Sequence, residues 1–131
     1  MLISNKVAIF CFSLVLLVCS CAPKRTCEDY RNGEFRITDW DNDMSFWIMR
    51  QDSIQVETKE GTGDTSRYIV RWLDSCEYQL ELVEGNPEMM EFFKGRSLNV
   101  EILEVLQNGY QYKSYFEGTE MVFYQNLTKI D

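Results

Sequence analysis

The clearest hydrophobic pattern runs through residues 76–82, where Cys76, Tyr78, Leu80 and Leu82 alternate with Glu77, Gln79 and Glu81. A period of two places the first set on one face of a β-strand and the second set on the other. With the preceding Arg67–Leu73 run and an Asp74-Ser75 corner, it predicts a hairpin over 67–83. Similar segments lie upstream. Glu34–Thr38 turns Phe35 and Ile37 inward, Ser45–Arg50 is apolar on both faces, as near a sheet centre, and Ser53–Glu57 turns Ile54 and Val56 inward. Turn signals at Asn32-Gly33, Asp41-Asn42-Asp43 and Gln51-Asp52 separate them, and the apolar-free stretch 59–66 reads as a mobile hairpin tip.

The period changes once. Asn86 is placed as an N-cap, Pro87 stands at the first helical position, Glu88 lies in the first turn, and Gly95 follows Lys94 as a stop. These signals predict a short helix over 87–94, laid over an end or face of the sheet. Met89, Met90, Phe92 and Phe93 cannot share one face of so short an element. Strands resume at Leu98–Leu106, whose inward set runs Leu98, Val100, Ile102 and then shifts to Leu103 and Val105, predicting a β-bulge near Ile102. Asn108-Gly109 is the strongest hairpin turn in the chain. It leads to strands over 110–116 and 119–130. About eight consecutive strands with short links predict an all-β antiparallel meander, a rolled sheet or small lipocalin-like barrel, with a two-sheet β-sandwich as the alternative.

Ahead of the strands, Lys6 is followed by the apolar run Val7–Val18. About a dozen helical residues reach roughly 18 Å, short of a hydrocarbon core of about 30 Å. The run therefore reads as a signal-peptide core rather than a transmembrane helix. Val18-Cys19-Ser20-Cys21 resembles a bacterial lipobox, with Cys19 where alanine or serine is commoner. Diacylglycerol on Cys21 plus an N-acyl chain supplies the hydrophobic chains that stable anchoring needs. The expected organisation is a lipoprotein signal peptide over 1–20, a lipidated tether over 21–26, and a single β domain over 27–131.

Of the five cysteines, Cys21, Cys27 and Cys76 survive that cleavage, and lipidation uses Cys21. The remaining pair in an oxidising compartment predicts a Cys27–Cys76 disulfide. Free thiols or a metal pair are the alternatives, but a chain without histidine lacks the ligands for structural zinc. The net charge of −8 disfavours nucleic-acid binding, which needs a basic footprint.

The lack of histidine also removes the commonest general base and the serine and cysteine triads. Most carboxylates alternate with apolar residues, as on a solvated strand face. Glu77 and Glu81 share a face, but spacing alone does not set a catalytic separation. Asp41-Asn42-Asp43 opens like a calcium loop, yet Phe46 stands where glycine is required and Asp52 where the bidentate glutamate belongs, so it reads as a turn. No catalytic, cofactor-binding or metal-binding residue is assigned.

Aromatic residues make up 14% of the chain, and Trp40, Trp47, Trp72, Tyr110, Tyr112, Tyr115, Phe116, Phe123 and Tyr124 fall in strands or at their ends. They read first as core and second as the lining of an apolar cavity. Met89, Met90, Phe92 and Phe93 read first as packing and second as a lid or partner-binding surface. Asp52-Ser53-Ile54 matches the short O-glycosylation motif of Bacteroidota periplasmic proteins. Asn126-Leu127-Thr128 is an N-glycan sequon that a bacterial lipobox argues against.

The lipidated cysteine, Cys27–Phe35, Arg50–Glu57, Val70–Leu80 with its Trp-x-x-x-Cys-x-Tyr-x-Leu pattern, and the closing Thr128-Lys129-Ile130 together resemble a group of small Bacteroidota lipoproteins. The resemblance covers nearly the whole mature chain and brings no known catalytic residues. Members are sometimes named automatically as a DNA topoisomerase IV. This short, acidic chain with an export signal gives that name no support, and Arg67-Tyr68 is no DNA-cleaving tyrosine.

The expectation is a lipid-anchored envelope protein with a non-catalytic binding or structural role, and not an enzyme. A lipocalin-like carrier of a small hydrophobic ligand is one alternative. An inhibitor of an envelope hydrolase, acting through loops such as 59–66, is another. The expected partners are the membrane, through the anchor, and a hydrophobic ligand or an envelope protein, with no nucleic acid. Pro23-Lys24-Arg25, rather than acidic residues, follows Cys21, which places the protein at the outer membrane facing the periplasm.

Overall fold

A sheet with one apolar face buries that face most completely by rolling up and pairing its two edges. This chain does so. The computed structural model describes residues 24–39 and 42–130. After a 3₁₀ helix, Cys27–Tyr30, come β1 (Gly33–Asp39), β2 (Met44–Gln51), β3 (Ile54–Lys59), β4 (Thr65–Asp74) and β5 (Glu77–Glu84). Helix α1 (Pro87–Phe93) intervenes before β6 (Leu98–Leu106), β7 (Gly109–Phe116) and β8 (Val122–Lys129). Each strand pairs antiparallel with the next, and β8 closes on β1 through Phe35–Lys129, Arg36–Thr128 and Ile37–Leu127. The result is one closed eight-stranded meander barrel, which rules out the two-sheet sandwich.

Local signals set most elements where the sequence pattern places them. The Asn86 side chain accepts a hydrogen bond from the Met89 amide at 2.8 Å, Pro87 starts α1, and Gly95 ends the turn after it with φ +69°. In β5, Tyr78, Leu80 and Leu82 point into the barrel. The register of β6 against β7 shifts between Ile102 and Glu104, the bulge its pattern predicts. Strand β8 is shorter than the run 119–130, because Thr119 bonds back to the Phe116 carbonyl and ends that hairpin in a turn.

Strand β3 is reversed relative to expectation. A two-residue turn, Asp52-Ser53 with Asp52 at φ +56°, sets Gln51 opposite Ile54 and Arg50 opposite Gln55. Directly paired residues share a face of the sheet. Since Ile48 and Arg50 are buried, their partners Glu57 and Gln55 also face inward. Ile54 and Val56 lie on the outer face beside Gln51 and Met49. A one-residue difference in register inverts every side chain of a strand. For the same reason β2 is not covered on both faces: Trp47 and Met49 lie about half exposed on the outside.

The two ends of the barrel differ. At one, the 3₁₀ helix tucks Tyr30 beneath the strands and is tied to the β4–β5 turn by the Cys27–Cys76 disulfide, with Cα atoms 5.3 Å apart. Cys76 lies in that turn rather than at the head of β5. At the other end, α1 lies across the opening.

Candidate functional site

The closed end is built around Arg50. Its position on β2 sends the side chain into the barrel axis, where it is 1% exposed. Nε donates to the Gln55 side-chain oxygen at 2.9 Å and Nη1 to the Tyr30 carbonyl at 2.8 Å. Nη2 donates to the hydroxyls of Tyr78 and Tyr110 at 3.1 and 3.0 Å. Those hydroxyls lie 2.8 Å from each other. The guanidinium carbon also sits 4.8 Å from the ring centre of Tyr78 and 5.1 Å from that of Phe35. Burial alone would lower the guanidinium pKa, but the oxygens of Tyr110 and Tyr78 outweigh it and hold the charge firmly.

Tyr30 completes this floor. Its hydroxyl donates to the Leu106 carbonyl at 3.1 Å and accepts from the Gly109 amide at 3.0 Å, joining the 3₁₀ helix to the β6–β7 turn. Gly109 must be glycine here. Its φ is +154°, and a Cβ would stand 1.9 Å from the Leu127 carbonyl oxygen.

Above the floor the barrel is hollow. An interior cavity of about 440 Å³ extends from Arg50 to the underside of α1. Its walls are mostly apolar, with Ile48, Leu80, Val100 and Phe116 among them, and Met89, Phe92 and Phe93 cover part of its open mouth. The cap is light: no residue of α1 is fully buried, and the helix is held by edge-to-face contacts of Phe92 and Phe93 on Phe116, each at 5.1 Å.

Polar groups enter the cavity at chosen places. Tyr112 donates to the Gln125 side-chain oxygen at 2.8 Å. Gln55, bonded to Arg50, donates in turn to the Glu57 carboxyl at 3.1 Å. Burial raises the pKa of Glu57, opposed by hydrogen bonds from Tyr68 and Gln55 and by the charge on Arg50. Burial likewise pushes the Tyr68, Tyr78 and Tyr112 hydroxyls up, so all three remain neutral donors. Glu57 also lines a groove of about 590 Å³ on the flank of the barrel, between the β3–β4 loop and the approach to α1. Groove and cavity share Phe46, Glu57 and Met89, which form the partition between them.

The residues singled out by sequence have mixed placements. Cys21 lies outside the described residues, as do Trp40 and Asp41, while Cys27 and Cys76 are joined. Asn42 and Asp43 form a turn whose Asn42 amide is accepted by the Asp39 carboxylate. Glu77 is exposed and Glu81 pairs with Arg71 at 2.6 Å on the outer face, away from the cavity. The β3–β4 loop is tied by its own bonds, from the Lys59 amide to Asp64 and the Gly63 amide to Lys59. Among the aromatics, Tyr110, Tyr112 and Phe116 are interior, whereas Trp47 and Tyr124 face solvent.

Sequence reasoning missed Arg50, Gln55 and Glu57 as interior groups. The available signal was the cross-strand ladder: a short Asp52-Ser53 turn puts Arg50 opposite Gln55 and Ile48 opposite Glu57. Compared with protein-family models, curated proteins and solved structures, the chain matches none of them.

Proposed function

We propose that this protein is a lipid-anchored envelope carrier that holds a small hydrophobic or amphiphilic molecule inside its barrel and catalyses no reaction on it. The observation that carries this reading is the interior cavity of about 440 Å³, within the size range of small-molecule sites, with apolar walls and a few placed polar groups. A domain that only filled space would gain stability by closing such a void. The light helical cap over the mouth gives a ligand a way in that leaves the barrel ladder intact. The committed state of Arg50, with four hydrogen bonds to the protein, supports a structural role for the strongest interior charge rather than a catalytic one.

The anchor at Cys21 and the resemblance to small Bacteroidota lipoproteins belong to the same proposal. On this reading the carrier sits at the outer membrane facing the periplasm, as Pro23-Lys24-Arg25 after Cys21 suggests, beside a source of apolar ligands. The test is titration of the full chain with 1-octanol, followed by amide chemical shifts. Saturable shifts at Val100, Ser114 and Gln125, abolished by filling the cavity with Ser114→Trp, support the carrier. Shifts that never saturate, or that survive the filled variant unchanged, contradict it.

A further inference from the structure

We infer that the cavity selects amphiphiles whose head group is a cationic amine or another hydrogen-bond donor, received by Glu57, and disfavours carboxylate heads such as those of fatty acids. This rests on the carrier reading and adds the chemistry of the ligand.

The cavity lining holds three residues of formal charge among the described residues: Asp39, Arg50 and Glu57. An anionic head group entering the barrel would look for Arg50. That guanidinium already donates to Gln55, Tyr30, Tyr78 and Tyr110, through all three of its nitrogens. Redirecting it would break bonds that join the 3₁₀ helix to β3, β5 and β7, and would leave buried acceptors unmet. Its charge is therefore spent on the fold.

Glu57 stands differently. It faces the cavity and the flanking groove together, at the partition both share with Phe46 and Met89. Gln55 donates one hydrogen bond to it at 3.1 Å, and the nearby Tyr68 hydroxyl helps to hold its pKa down. A carboxylate has room for about four such bonds, so acceptor capacity remains for a ligand. Asp39 adds a second carboxylate to the lining near the mouth. A head group that donates, and best one that carries positive charge, completes Glu57 and offsets the cost of burying it. A carboxylate head meets repulsion there, and the guanidinium beyond it is already engaged by four hydrogen bonds to the protein.

The experiment compares octylamine, 1-octanol and sodium octanoate, which share a tail and differ in head group, by amide-shift titration of the full chain at neutral pH. The expected order is octylamine tightest, with octanoate at least tenfold weaker. In Glu57→Gln the gap between amine and carboxylate narrows to within about threefold, since one carboxylate contact of the charge-assisted kind is removed. Octanoate binding as tightly as octylamine in the unmodified chain overturns the inference and leaves the carrier standing. Failure of all three ligands to bind overturns the carrier itself. Should Glu57→Gln lose its folded spectrum, the order measured on the unmodified chain decides alone.

Discussion

Gln55 joins Arg50 to Glu57: it accepts from the Arg50 Nε at 2.9 Å and donates to the Glu57 carboxyl at 3.1 Å. An amide between a fixed cation and a carboxyl passes polarity from the barrel floor to the cavity wall without a direct ion pair. It makes the inward face of β3 part of the machinery, although that strand's two strongest apolar residues point outwards.

Removing the cation should cost far more than its own contacts. Arg50→Met leaves the Tyr30 carbonyl, the Tyr78 and Tyr110 hydroxyls and the Gln55 oxygen without the guanidinium that donates to them in the buried floor. Leaving a buried hydrogen-bonding group unmet typically costs about 1–3 kcal/mol. Urea denaturation is expected to show a loss of this order. Arg50→Lys should recover only part of it, because an ammonium cannot reproduce the planar fork.

Glu57 should give stability a distinctive pH dependence. Burial raises its pKa in the folded chain above the ordinary 4.5. From that value upwards the folded state holds the proton longer than the unfolded state. Its contribution is therefore complete below pH 4.5 and is lost as pH rises through the folded pKa. Glu57→Gln should flatten this part of the curve. Denaturation midpoints measured from pH 4.5 to neutrality check the sign, and an identical slope in the variant would refute the assignment.

The disulfide fastens the floor. Cys27 and Cys76 close a loop spanning 49 residues, and in the chain-entropy model such a link contributes about 4 kcal/mol. Reductant, or Cys27→Ser with Cys76→Ser, should lower the melting temperature clearly. It should also speed hydrogen exchange at the Gly109 amide, whose partner is the Tyr30 hydroxyl. Unchanged exchange at Gly109 would mean that the 3₁₀ helix keeps its place without the link.

Gly109→Ala tests the tight approach of β7 to β8. The added methyl must displace the Leu127 carbonyl oxygen, 1.9 Å from its ideal position, and does so at an unfavourable φ. Overpacking against fixed backbone costs about 1–3 kcal/mol. Thermal melting is expected to fall accordingly, and an unaltered midpoint would show that the β7–β8 pairing at Gly109 yields more easily than its geometry implies.

The legibility of the chain follows from where the information lies. Period-two patterns, Asn108-Gly109, the Asn86-Pro87 start of α1 and the bulge after Ile102 are local, and each is visible in a few neighbouring residues. The face of β3 is not local. Ile54 and Val56 make an apolar pair that looks like core, and the opposing assignment comes from the turn register against β2 and from Arg50 needing a polar neighbour. Glu57 reads as one more solvated carboxylate until that register is known. A hollow interior is harder still to read, since the aromatics that line a cavity are the same residue types that would fill a core.

Native mass spectrometry of the protein, expressed in a bacterial envelope and extracted without denaturation, reads whether the barrel is occupied. A covalently bound lipid, as proposed for Cys21, stays with the chain on denaturation, whereas a cavity ligand leaves. The expected result is a small amphiphile of defined mass that is released on unfolding and absent from Ser114→Trp. Finding only the chain and its covalent modification, identical before and after unfolding in both proteins, would contradict it.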